Sequence, residues 1–171
     1  SIAVGGFIVV PEKALHQSLP FPTVIYNRGG NRDFGIIHHM QLDYLFYLAS
    51  KGFVVYASQY RGNAMSKGGK DEFGGQDLRD VLALFELIKA DPFADQSQIM
   101  MLGFSRGGLM TYLAARQTDQ IKALAVVGAP TDLQQLSKER PRLYRSVLKP
   151  LVGDTLTMQD EYLKRSPVYW A

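Results

Sequence analysis

A mostly parallel β-sheet with helices on both faces is the architecture this sequence predicts, and three observations predict it. Short apolar runs alternate along the chain with segments whose apolar residues repeat at helical spacing. Those runs are apolar at consecutive positions, as strands covered on both faces are. Glycine-rich loops follow several of them, at the carboxyl ends where open α/β sheets carry their ligands. With 171 residues and 46% hydrophobic content, the chain can bury one core and reads as one domain or part of one.

The elements follow in order. Ile2–Val10 reads as a strand closed by Pro11, and after a loop ending in Pro20-Phe21-Pro22, Thr23–Tyr26 reads as a second. Both are expected in the sheet interior. The polar, glycine-rich loop Asn27–Gly35 leads to a helix with Leu42, Leu45, Phe46 and Ala49 on one face, ending at Gly52. Phe53–Ala57 is the third strand. A second glycine-rich stretch, Arg61–Gly75, precedes a helix from Asp77 to Ala90, whose buried face is Leu78, Val81, Leu82, Phe85 and Ile88 and which stops before Pro92. Gln98–Gly103 is the fourth strand, Gly107–Arg116 a helix, and Ala123–Val127 the fifth strand. Residues 131–165 form a polar, helical insertion with Leu136, Leu143, Tyr144, Val147, Leu148, Leu151 and Val152 on its apolar face; a lid over the sheet rim and an ordinary crossover are both open.

The junction between the fourth strand and its helix carries the chemistry. Gly103-Phe104-Ser105-Arg106-Gly107 is a G-x-S-x-G, which by itself turns up by chance in roughly one chain in ten to twenty of this length. Its placement sharpens it. A serine on a tight strand-to-helix turn projects its hydroxyl above the sheet, and flanking glycines let the two backbones approach. Ser105 is therefore the candidate nucleophile; the alternative is a serine that only caps the helix. A tetrahedral oxyanion needs fixed N–H donors, and the expected pair is the backbone N–H of Arg106 and a donor from the Gly29-Gly30 loop after the second strand. That glycine pair also fits a plain tight turn.

These segments resemble the hydrolase domains of the prolyl oligopeptidase family, within the α/β-hydrolases. The resemblance lies in Gly103-Phe104-Ser105-Arg106-Gly107-Gly108, Leu48–Ala57, Tyr60-Arg61-Gly62, Asp71–Asp77 with Asp80, and Ser166-Pro167. Dienelactone hydrolase-like esterases share this architecture, and fold analogy does not separate the two. The resemblance implies a serine hydrolase that cleaves a small ester or peptide substrate through an acyl-enzyme on Ser105, with no metal or organic cofactor. It also implies a tyrosine before the glycine pair as oxyanion donor, where this chain has Arg28. Arg28 is open to three readings: an oxyanion donor, a pin for the loop through carboxylates such as Asp33, or a substrate-carboxylate binder.

In this fold the catalytic acid and histidine follow the serine. His16, His38 and His39 all precede Ser105, and Asp132 follows the fifth strand, where some α/β-hydrolases place their acid, but its turn sequence reads as a helix N-cap. His38 or His39, opening the first long helix near the glycine loop, is the alternative base, set against the reading of ordinary exposed helix-start histidines. The expectation is a portion of a hydrolase domain lacking its C-terminal part, since two further strand-helix units would take roughly 60 residues at about 30 each. A sheet of this kind would expose a strand edge, open to homo-oligomer formation or other association. A binding module on a hydrolase core without a triad is the competing function.

Composition removes other classes. The net charge of +3 is mild, and the one basic cluster, Lys138, Arg140, Arg142, Arg145 and Lys149, lacks the aromatic interleaving of a nucleic-acid site; it reads as a solvated helix face, with a preference for acidic substrates as the functional alternative. No apolar run approaches the about 20 residues of a membrane span. The chain has no cysteine, which excludes disulfides and thiolate metal sites and leaves the compartment open. No G-x-G-x-x-G follows the first strand, which argues against a dinucleotide site.

Overall fold

The computed structural model describes residues 1–16 and 19–171. Its five strands are β1 (Gly6–Val9), β2 (Phe21–Asn27), β3 (Val54–Ser58), β4 (Ala94–Phe104) and β5 (Ile121–Val127), side by side in the order β1-β3-β2-β4-β5. β2 to β5 are parallel, and β1 runs antiparallel to β3. This is the mostly parallel sheet expected from the sequence.

Consecutive residues of the central strands are buried because each faces a different layer of helices. Val54, Val55, Tyr56 and Ala57 are all fully buried, and neighbours along a strand point to opposite faces. Val54 and Tyr56 join Ile25, Ile99 and Met101 under α2 (Leu78–Leu82), α3 (Leu84–Ala90) and α4 (Arg106–Ala115). Val55 and Ala57 join Tyr26, Ile37, Leu45 and Ala49 under α1 (His39–Ser50). Each large apolar side chain so buried contributes roughly 1.5–3 kcal/mol. The first long helix ends as expected at Gly52, whose φ of 93° suits a residue without Cβ.

Several boundaries differ for physical reasons. The first strand was expected over Ile2–Val10 in the sheet interior; instead four residues form an edge strand with Ile8 exposed, and Ala3 makes only an isolated bridge to Lys67. Positions 17 and 18 of the loop expected before β2 lie outside the described residues. β2 begins at Phe21, earlier than expected, and Pro22 is tolerated inside it because the register with β4 shifts between Pro22 and Thr23. The helix expected over Asp77–Ala90 is interrupted at Ala83. β5, expected to be covered, exposes Ala123, Leu124, Ala125 and Val127 at the other edge of the sheet.

Residues beyond β5 pack onto the same core. α5 (Leu133–Glu139), α6 (Pro141–Leu143), a π-turn at Tyr144–Leu148, α7 (Lys149–Val152) and α8 (Gln159–Lys164) supply the buried side chains Leu133, Leu148, Val152 and Tyr162. The segment is closed at its base, where Leu133 N–H donates to Ser166 Oγ (2.9 Å) and Val168 N–H to the Thr131 carbonyl (3.1 Å).

Candidate active site

Ser105 stands alone between β4 and α4 with φ 51° and ψ −121°. A non-glycine residue rarely takes this conformation, and such strain collects at functional sites. Packing forces it here. A Cβ on Gly107 would lie 1.9 Å from the Asn27 carbonyl oxygen, and one on Gly103 2.3 Å from the Gly107 oxygen, so strand and helix meet with no room for side chains. Ser105 N–H donates to the Val127 carbonyl (2.8 Å), tying the turn to the end of β5. Its side chain is exposed and, among the described residues, makes no capping hydrogen bond.

The loop after β2 lies against this turn. A Cβ on Gly29 would sit 3.5 Å from Ser105 Cβ and 3.1 Å from the Phe104 oxygen. Asn27, fully buried, donates to Thr111 Oγ1 (2.9 Å), which donates in turn to the Gly107 carbonyl (2.9 Å). The loop is thereby fastened to α4.

Two buried arginines hold the rest of the rim. Arg106, 1% exposed, sends its guanidinium back under the loops: Nη1 donates to Asp71 Oδ2 (2.7 Å) and the Gly30 carbonyl (3.2 Å), and Nη2 donates to Asp77 Oδ2. Its guanidinium lies 5.0 Å from the Tyr60 ring centroid and 5.2 Å from that of Phe73. One side chain thus joins the loops after β2 and β3 to the strand-to-helix turn at Ser105. Arg28, equally buried, donates Nε (3.0 Å) and Nη2 (2.7 Å) to the Gln59 carbonyl. Its other bonds go to the carbonyls of Gly29 (3.0 Å), Arg32 (3.1 Å) and Phe34 (3.4 Å). All of these partners are backbone; Asp33 instead accepts from Ala64 N–H (2.6 Å).

The charges balance. Arg28 and Arg106 both approach Tyr60, and Asp71 and Asp77 lie beside Arg106. Burial opposes the charge on Arg106, but Asp77 and Asp71 hold it cationic. Burial pushes the Asp77 carboxyl above the usual carboxylate range, a tendency that Arg106 counters. Arg28 is made less basic, chiefly by burial.

Asp132 caps α5 by accepting from Gln135 N–H (2.9 Å) and also accepts from the Tyr169 hydroxyl (2.9 Å). His38 and His39 open α1 with their rings 4.8 Å apart, and His16 is exposed. Among the described residues no hydrogen bond joins any histidine to Ser105, and no group of three His, Asp or Glu side chains could hold a metal. No helix is long and apolar enough to cross a membrane. Nothing in the sequence assigns Tyr60, Asp71 or Asp77 a place at the site. An arginine opening a helix that continues Gly107-Gly108-Leu109-Met110 with no other charge before Arg116 is the available signal, since a buried cation requires partners.

Comparison with known proteins accords with this geometry. The model of the prolyl oligopeptidase family (peptidase S9) matches residues 39–169. The chain is 33% identical over 144 residues to the uncharacterized peptidase YtmA of Bacillus subtilis (strain 168), covering 84% of this chain and 54% of that protein. It is 26% identical over 122 residues to dipeptidyl-peptidase 5 of Porphyromonas gingivalis, covering 67% of this chain and 17% of the other. Among solved structures, the acylaminoacyl peptidase of Pyrococcus horikoshii superposes with a TM-score of 0.74 at 25% identity, covering 97% of this chain and 27% of the other. A Mycobacterium tuberculosis puromycin-hydrolyzing peptidase shares the fold with a TM-score of 0.81 at 23% identity, covering 97% and 26%. The chain spans about half the length of the first relative and about a quarter of these solved chains.

Proposed function

Because this chain belongs to the prolyl oligopeptidase family, we propose that it carries the nucleophile half of a serine hydrolase that cleaves peptide or ester bonds. The observation that carries this reading is Ser105: exposed, held at φ 51° on the strand-to-helix turn, with a hydroxyl uninvolved in capping among the described residues. The hydroxyl attacks the substrate carbonyl, its proton passes through the base to the alcohol or amine that leaves as the ester or peptide C–O or C–N bond breaks, and water then hydrolyses the acyl-enzyme and returns the serine. Backbone N–H groups of Arg106 and of the Gly29 loop hold the oxyanion, with Arg28 keeping that loop in place through its bonds to Gly29, Arg32 and Phe34. A histidine and an acid supplied by polypeptide outside residues 1–171 complete the triad. No cofactor enters this chemistry, and the substrate is a small ester or a peptide.

A fluorophosphonate probe tests the nucleophile. The protein should gain one probe mass that is lost in Ser105→Ala. Absence of an adduct on folded chain, alone and with any histidine-bearing partner segment, would favour the second reading, a binding module. That reading draws on the lack of a histidine hydrogen bond to Ser105 among the described residues.

A further inference from the structure

The rim carries a small cavity of about 280 Å³ lined by Arg32, Gly62, Gly69, Lys70, Asp71 and residues of α7, Pro150 and Leu151. Its volume lies just below the roughly 300 Å³ at which pockets begin to take drug-sized ligands, which suits one side chain or a small carboxylate. Asp71 in its wall is already neutralised by Arg106, the residue after the proposed nucleophile, so a buried ion pair links the cavity wall to the start of α4. Arg32 and Lys70 are exposed and, among the described residues, neither makes a salt bridge. The walls therefore present two cations without a counter-charge.

Arg32 sits there against the preference of its backbone. Asn31 and Phe34 exchange both backbone hydrogen bonds (3.0 and 2.9 Å), and Arg32 is the first central residue of that turn with φ 48°, a position that favours glycine. Asp71 accepts its N–H at 2.6 Å, so the base of the side chain is fixed. The backbone at Lys70 packs closely on Gly62, where an added Cβ would lie 2.2 Å from Asp71 N and 2.8 Å from the Lys70 carbonyl carbon.

We infer that Arg32 and Lys70 form a subsite for a substrate carboxylate, placed on the rim between the loops after β2 and β3 and the α7 segment. The role of carboxylate binder that the sequence left open for Arg28 passes to Arg32, because Arg28 is buried on backbone carbonyls while Arg32 faces the cavity. Arg32 supplies the planar fork that pairs with two carboxylate oxygens, Lys70 adds a point charge, and Pro150 and Leu151 form the apolar side. The inference rests on the rim being the substrate site.

Calorimetric titration of the Ser105→Ala chain tests it without any need for turnover. Three peptides serve as probes: N-acetyl-alanyl-glutamic acid α-amide, its glutamine counterpart, and N-acetyl-alanyl-glutamine with a free α-carboxylate. At low salt the glutamyl amide, the free acid, or both should bind about tenfold tighter than the neutral peptide, and the arm that does so identifies the source of the carboxylate. Added salt should shrink the preference. Arg32→Gly and Lys70→Gln should each reduce it, and Arg32→Gly should do so while raising the melting temperature, which separates lost recognition from lost folding. Equal binding of the three peptides, no measurable binding of any, or a preference that survives the double variant would overturn the inference. Failure of the serine hydrolase reading would appear separately, in the fluorophosphonate labelling.

Discussion

Arg106→Met should be the most destabilising conservative-volume change on the rim. Asp71 and Asp77 have side chains 1% and 0% exposed, and in the variant both face an uncharged neighbour. Breaking a buried ion pair by removing one partner costs about 3–5 kcal/mol, and two carboxylates lose their cation at once. The contacts with Tyr60 and Phe73 are lost too, which places the cost near the upper end, about 5 kcal/mol. For a chain of this size that is a drop of about 10–20 °C in melting temperature. Restoring neutrality with Asp71→Asn and Asp77→Asn on the Arg106→Met background should recover more than half of it. The pH dependence has a definite sign. Burial already raises the Asp77 carboxyl, and without Arg106 its folded-state pKa lies further above the unfolded value of about 3.9. Such a group stabilises the fold below its unfolded pKa and loses that contribution as pH rises through the folded one. The deficit of the variant relative to the parent should therefore shrink between pH 7 and pH 4. Urea unfolding at both pH values reads all of this. A deficit under about 1 kcal/mol at pH 7, or one that does not shrink on acidification, would refute the assignment of Arg106 as counter-ion to both aspartates.

Further outcomes follow from single features. Ser105→Gly should relieve the strain at φ 51° and raise the melting temperature by about 2–4 °C, corresponding to about 1 kcal/mol, whereas Ser105→Ala should leave it unchanged. Calorimetry that finds the two variants equal would contradict the strained-turn reading. Glu161 accepts from Arg165 Nη1 (2.5 Å) and Lys164 Nζ (2.7 Å), which hold its carboxyl below the usual range. It therefore stabilises the fold above about pH 4.5 and loses that contribution as pH falls through its folded value. Glu161→Gln should cost only about 0.5–1 kcal/mol at pH 7, since the pair is partly screened by solvent, and nothing at pH 3. The exposed edge at β5 should make the chain self-associate at high concentration, and Leu124→Lys should lower that tendency by light scattering; a parent that stays monomeric throughout would count against the edge as the cause.

The central strands, the first long helix and the strand-to-helix turn at Ser105 are legible because their signals are local. Val54 to Ala57 are apolar at every position, so a strand covered on both sides follows from four adjacent residues. Gly103 and Gly107 announce the close approach of strand and helix within one short motif. β1 was misplaced because its apolar residues do not say whether a neighbour lies on one side or both. Asp132 was read as a cap from its turn sequence, and its bond to Gln135 N–H is that cap.

The sequence by itself determined the α/β layering, the family and the position of Ser105, since each rests on periodicity or on a motif within a few consecutive residues. Where the two guanidiniums of the rim go was decided by tertiary structure. Burying Arg106 requires carboxylates, but which of the 16 acidic residues answer is a question of topology. Asp71 and Asp77, 35 and 29 positions away, reach it only because the loop after β3 folds back over the start of α4. Arg28 and Arg32, four residues apart, diverge for the same reason: one side chain turns inward to backbone carbonyls and the other outward to the cavity.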